Sequence, residues 1–237
     1  MKGKLFSNPN KAINKKLEQI VQHPIGGPTF WNVANSLTFI RIFISPIFLL
    51  LYLQYEELGI SVAILPYILL FLLGVSELSD ALDGYLARRY NQVTDLGKIL
   101  DPMADSISRI SIFLTFTQPP VNISLLYVFI FLYRDSVTST LRTICALRGF
   151  ALAARPSGKI KAVLQGACCL FITLLLIPYS LGYLSGALLS QFSSLAVVIS
   201  CFYALYSGFD YLIANWPHIQ KVLARKETGD RVPQTSS

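Results

Sequence analysis

The sequence predicts an all-α integral membrane protein: six transmembrane helices preceded by an N-terminal amphipathic interfacial helix. Three observations predict it. The 237 residues are 53% hydrophobic and 14% charged, whereas an ordinary soluble domain carries roughly a quarter charged residues. Apolar runs long enough to cross a bilayer recur along the chain. Lysine and arginine crowd alternate connections and are missing from the others.

A spanning helix needs about 20 mostly apolar residues. Leu37 to Gln54 is such a run, interrupted by Arg41, and Gly59 to Ser76 is another. Ile110 to Tyr133 is uncharged but divided by Gln118-Pro119-Pro120. Ala162 to Phe209 is uncharged and long enough to cross twice, with a turn where Ser180 to Gly186 supplies serine and glycine. The spans are therefore expected at 33–55, 61–89, 95–117, 121–148, 158–181 and 186–213. Lys2, Lys4, Lys11, Lys15 and Lys16 precede the first span. Arg88, Arg89 and Lys98 flank the second connection, Arg142, Arg148, Arg155, Lys159 and Lys161 the fourth, and Lys221, Arg225, Lys226 and Arg231 follow the last. The connections near 56–60, 118–120 and 182–185 have no Lys or Arg. The positive-inside rule then puts both termini in the cytoplasm.

Three segments follow: an interfacial segment at 1–30, a six-helix domain at 31–213 and a cytoplasmic tail at 214–237. In the first, Ile13, Leu17, Ile20 and Val21 recur at helical spacing, with Lys11, Lys15, Lys16 and Glu18 off that face, the pattern of a helix lying on the inner leaflet. The first 30 residues hold no apolar stretch of the kind a secretory signal needs. Net charge is +7, which in a membrane protein reflects cytoplasmic loops and anionic lipid; no basic soluble face offers itself to nucleic acid. Cys145, Cys168, Cys169 and Cys201 lie in or beside apolar stretches without a CxxC pair and read as small buried side chains. His23 and His218 are isolated, so no histidine metal site is expected.

The chemistry sits in the second and third spans. Five of the 13 acidic residues (Glu77, Asp80, Asp83, Asp95 and Asp101) fall within 77–101, and Asp105 follows. An aspartate at the centre of a membrane helix costs about 2.5–3.5 kcal/mol, so a cluster near the interface implies function. Asp80 and Asp83 are spaced i,i+3, and Asp101 and Asp105 i,i+4, so each pair shares one helix face. A short connection makes the two helices antiparallel neighbours, and both pairs can meet at one depth. Four carboxylates held together cannot all stay ionised without cations. Hard divalent ions, Mg²⁺ or Mn²⁺, prefer such oxygen ligands. Four aspartates suit two ions, the arrangement used for in-line phosphoryl displacement. Gly84 and Ala87 share the face of Asp80 and Asp83, and Gly97 lies one turn before Asp101, leaving room for a bulky ligand. Arg88 is placed to meet a phosphate, and Pro102 is expected to kink the third helix at the site.

At these residues the sequence resembles the CDP-alcohol phosphotransferase family of membrane enzymes. The family pattern, D-x2-D-G-x2-A-R-x8-G-x3-D-x3-D, is matched by Asp80, Asp83, Gly84, Ala87, Arg88, Gly97, Asp101 and Asp105 with every spacing intact. The resemblance implies that Asp80 and Asp101 bridge two metal ions, that Asp83 binds one ion and Asp105 the other, and that Asp105 is the general base on the acceptor hydroxyl. It implies that Gly84, Arg88 and Thr94 contact the cytidine diphosphate part of the donor, CDP-diacylglycerol, in a pocket that Ala87 and Gly97 help to shape. Asn35-Ser-Leu-Thr38 is similar to the family's donor-contacting turn, and Arg41 follows one turn on; taken alone, Arg41 reads as a snorkelling arginine. The resemblance also implies a homodimer.

For the acceptor, a cationic set lies on the fourth helix and the loop after it. Arg134 and Arg142 lie close to one helical face, and Arg134 lies deep enough to need a partner. Asp135 is adjacent but is expected to point elsewhere, while Arg148 and Arg155 read as positive-inside anchors. An anionic acceptor suits such a pocket. The stretch Arg134 to Arg142, followed by Gly158-Lys159-Ile-Lys161-Ala-Val-Leu-Gln165, is similar to the phosphatidylglycerophosphate synthases of the family, with the departure that Ser106-Ile107 replaces a frequent Lys-Leu. That similarity implies glycerol 3-phosphate as acceptor, its phosphate meeting Arg142, Lys159 and Lys161, in a bacterial inner membrane. Within the family, serine, inositol phosphate or phosphatidylglycerol are the alternative acceptors. Outside it, the same aspartates suit a cation-coupled transporter or a scaffold without catalysis.

Overall fold

The computed structural model describes residues 33–89, 97–147 and 155–228, with side chains described except at 33–37, 81, 83–89, 97–101, 146–147, 218 and 221–228. Six α-helices and no strand occur among the described residues: α1 (Val33–Gln54), α2 (Leu65–Arg89), α3 (Gly97–Thr115), α4 (Leu125–Leu147), α5 (Pro156–Ser180) and α6 (Gly186–Thr228). The expected interfacial segment at 1–30 lies outside the described residues.

The helix limits follow local chemistry. Before α2, Ile64 N–H donates to the Ser61 carbonyl and Leu65 N–H reaches the same oxygen, so a turn takes up the residues expected to start the helix at 61. Between α3 and α4, Tyr52 Oη donates to the Gln118 carbonyl at 3.2 Å and accepts from Val121 N–H at 3.4 Å, which ties that connection to the end of α1. After α5, the Leu181 and Gly182 amides donate back to Ile177 and Tyr179. Gly182 takes φ +79°, a left-handed conformation open to glycine at little cost. The last helix runs on to Thr228, beyond the expected limit at 213. Apolar composition ends near 213, but a polar sequence continues a helix freely once it has left apolar surroundings.

α3 is the hub. It packs against α1, α4 and α5; α2 joins α1 to α5, and α6 lies against α4 and α5. The core between them is aromatic and aliphatic. Phe113 and Phe131 rings stand 4.8 Å apart, and Phe48 meets Phe116 edge-on at 5.9 Å. Leu69, Ile172, Leu189 and Val197 are fully buried. Serine pairs add polar links: Ser76 and Ser108 hydroxyls lie 3.4 Å apart between α2 and α3.

The outside is apolar as well. Phe43, Phe71, Val163, Phe202 and Ile213 are each at least 65% exposed, a surface that water penalises and a bilayer accepts. Two stretches, Pro156–Ser180 and Gly186–Pro217, are long and apolar enough to cross a membrane, and Thr38–Gln54 is a shorter apolar helix. All four cysteines are free and buried, as their sequence context suggests.

Candidate active site

Three helices bring charge to one point. Asp80 on α2 and Asp105 on α3 both accept from the same atom, Nη1 of Arg41 on α1. Arg41 is 2% exposed and the two aspartate side chains 39% and 30%, so the guanidinium lies beneath carboxylates that still face open space. This differs from the snorkelling arginine that Arg41 taken alone suggests. A snorkelling side chain carries its charge out to water; here two carboxylates offset the burial of the cation. Thr38, one turn before Arg41, is also buried.

The convergence tests whether divalent metal suits the site. The two carboxylates reach one cationic centre from different helices, an all-oxygen donor pair of the kind hard cations take. Asp83 lies three positions after Asp80 on α2, and Asp101 four positions before Asp105 on α3. The side chains of Asn35, Asp83, Gly84, Ala87, Arg88, Gly97 and Asp101 fall outside the described set, and Thr94 lies outside the described residues altogether. Among the described residues no group of three or more potential metal ligands occurs.

Beside Asp105 opens a cavity of about 250 Å³ with cationic walls. Arg109, Arg134, Arg142, Arg155, Lys159 and Lys161 all line it, with Asp135, Ser207 and Tyr211. All three expected acceptor residues are thus in one cavity, but in different states. Arg142 and Lys159 are exposed. Lys161 is 6% exposed and donates to both Asp135 oxygens at 2.8 and 2.7 Å.

Asp135 is where the sequence reading needs correction. Arg134 donates to it at 2.9 Å through Nη1, while Nη2 donates to Ser207 Oγ on α6 at 2.6 Å. Neighbours in a helix diverge by about 100°, but the long arginine side chain folds back across that angle. Asp135 therefore compensates two cations at once, the buried Lys161 and the partly buried Arg134, and the partner that Arg134 needs lies within the protein.

Arg155 also does more than anchor the chain. It donates through Nε and Nη2 to both Asp210 oxygens at 3.0 and 2.6 Å, and Ser157 Oγ donates to Asp210 at 2.5 Å. This pairing holds the Arg155 guanidinium above its ordinary pKa. The pair fastens the start of α5 to α6 at the cavity rim.

On the other side of Asp80 lies a second cavity, about 560 Å³, between α2 and α5. Leu70, Leu73, Val163, Ala167 and Leu170 form its walls, and Glu77, Asp80 and Arg109 form one polar end. Gly166 lies against Glu77, where a Cβ would meet Oε1 at 3.5 Å, an ordinary contact. The shape is that of an amphiphile, a greasy channel ending at charges. The reading from sequence had Glu77 only as a member of the acidic cluster and Arg155 only as an anchor, and it had no place for Arg109. For Arg109 the signal was present: four residues after Asp105, it shares that face of α3.

Comparison with known proteins gives the family. A family model for CDP-alcohol phosphatidyltransferase matches residues 31–208. A Bacillus subtilis protein is 30% identical over 197 residues, covering 78% of this chain and 96% of its own length. A Pseudomonas fluorescens protein is 30% identical over 200 residues, covering 83% and 95%. An Aquifex aeolicus protein reaches 43% over 86 residues, 36% of this chain and 43% of its own. All three carry the name CDP-diacylglycerol–glycerol-3-phosphate 3-phosphatidyltransferase. With the match spanning most of the sequence, the chain belongs to the CDP-alcohol phosphatidyltransferase family.

Proposed function

We propose that this protein transfers the phosphatidyl group from CDP-diacylglycerol to sn-glycerol 3-phosphate, giving phosphatidylglycerophosphate and CMP. One observation carries the reading: paired carboxylates from α2 and α3 stand between a lipid-shaped cavity and a cation-lined one. The names of the relatives supply the matching donor and acceptor.

In this reading Asp80, Asp83, Asp101 and Asp105 hold two divalent ions, Mg²⁺ or Mn²⁺. When bound, those ions neutralise the diphosphate and the charge that develops on the departing CMP. The donor's tail lies along the apolar walls of the larger cavity, with its diphosphate at the Asp80 end. Gly84, Ala87, Arg88, Thr94, Gly97, Asn35 and Thr38 take the cytidine nucleotide. Arg142, Lys159 and Lys161 take the acceptor phosphate, a dianion that suits the smaller cavity. The Asp105 carboxylate accepts the acceptor's hydroxyl proton. The freed oxygen attacks the lipid-side phosphorus, and the phosphorus–oxygen bond to CMP breaks with its electron pair leaving on CMP. Positioning and electrostatics supply most of the acceleration in such transfers, and no covalent enzyme intermediate is required.

The setting follows from the same reading. The six helices span a bacterial inner membrane, the aspartate end faces the cytoplasm with both termini, residues 1–30 lie on the inner leaflet, and the chain works as a homodimer. The test is CMP release by purified protein from CDP-diacylglycerol and Mg²⁺ with each acceptor in turn. Release that requires glycerol 3-phosphate is expected. Release that instead requires serine, inositol phosphate or phosphatidylglycerol overturns the acceptor assignment, and ion flux without any CMP overturns the enzyme.

A further inference from the structure

Among the described residues, two line both cavities: Arg109 on α3 and Ala162 on α5. They stand where the lipid-shaped cavity meets the cation-lined one. Ala162 presents a single methyl group, so the charged part of this partition is Arg109 alone. Arg109 is half-buried and makes no ion pair or hydrogen bond among the described residues, unlike Lys161, Arg134 and Arg155 nearby. It lies one helical turn from Asp105, so its guanidinium is carried by the helix that carries the general base.

We propose that Arg109 is a catalytic residue that holds the phosphate in transit, gripping the non-bridging oxygens of the lipid-side phosphorus as it passes between the cavities. The inference rests on the function proposed above. In the step, the acceptor oxygen bonds to that phosphorus and gives its proton to Asp105. The bond to the bridging oxygen breaks, and the electron pair leaves with CMP. The phosphoryl group carries negative charge on its equatorial oxygens throughout. A planar guanidinium offers two parallel donors to two such oxygens. An uncommitted cation at the junction is free to follow the group. The other paired cations are tied up: Lys161 and Arg134 to Asp135 inside the acceptor cavity, and Arg155 to Asp210 at its rim. Arg142 and Lys159, which line only the acceptor cavity, are the anchors of the acceptor's own phosphate.

Steady-state kinetics on the full-length enzyme in lipid–detergent micelles separate these roles. Arg109→Gln is expected to lower kcat about a hundredfold. Its KM values for CDP-diacylglycerol and acceptor should stay within about tenfold of the parent. Arg109→Lys should fall between, since it keeps the charge and loses the fork. Arg142→Gln is the contrast, raising the acceptor KM with kcat little changed. A kcat loss below about tenfold, or a loss expressed as a KM rise above about tenfold for either substrate, overturns the proposal. If Arg109→Gln fails to fold by thermal melting, Arg109→Lys is read against the same limits. An unmodified enzyme that releases no CMP would instead overturn the proposed function, and one that prefers another acceptor is tested with that acceptor.

Discussion

Arg41 binds α1 to the chemistry on α2 and α3. A buried cation stripped of one partner destabilises a protein by about 3–5 kcal/mol, and the exposure of Asp80 and Asp105 puts this cluster toward the lower end of that range. The reverse deletion, Arg41→Gln, leaves two carboxylates facing each other. It should lower the melting temperature in chelator, with excess Mn²⁺ restoring part of the loss, because either cation relieves the same repulsion. A melting temperature that metal leaves untouched would separate Arg41 from the proposed metal site. Asp135 is the matching residue in the cation-lined cavity. Asp135→Asn leaves the Lys161 and Arg134 charges uncompensated; it should cost about 3–5 kcal/mol of stability and raise the acceptor KM, both measurable on one preparation. At this scale the convergence of Asp80 and Asp105 was legible, because the spacing of the acidic residues along the two helices lets them meet at one depth. The partners of Arg41, Arg134 and Arg155 were not, because each reaches across to another element or back across its own helix.

The α4–α6 contact shows how an element sets a side chain. Gly208 follows Ser207, and a Cβ at Gly208 would stand 3.1 Å from Cγ of Arg134. Arg134 cannot swing away freely, since its guanidinium is held by Asp135 and Ser207. Gly208→Ala should therefore displace Arg134 and raise the acceptor KM severalfold while sparing the donor KM; an unchanged acceptor KM would show that the side chain adjusts without cost. The helices themselves were readable from apolar runs and turn residues, so the observed limits lie within a few residues of those expected for the first five. The exception is α6. Hydropathy marks where a chain leaves apolar surroundings, and nothing in it marks the end of a helix whose polar extension keeps its backbone hydrogen bonds.

Across the whole molecule, outward-facing Phe43, Phe71 and Phe202 give the bundle an apolar girdle, and the cation-lined cavity lies at the end where sequence puts the basic connections. The alternation of those connections is what predicts the orientation; the way six helices assemble was not legible, because apolar faces that meet lipid and apolar faces that meet helices look alike in sequence. Tyr183, 85% exposed in the α5–α6 turn, belongs to the opposite end. Tyr183→Cys should react with a membrane-impermeant maleimide on intact cells, while the four buried native cysteines stay silent. Labelling that requires permeabilised cells would reverse the orientation. The proposed pairing of two metal ions is tested most directly by counting Mn²⁺ bound to the purified protein at equilibrium. Two ions per chain are expected, with the count falling in Asp80→Asn and in Asp101→Asn; a parent protein that binds none, or variants that bind as many as the parent, would contradict it.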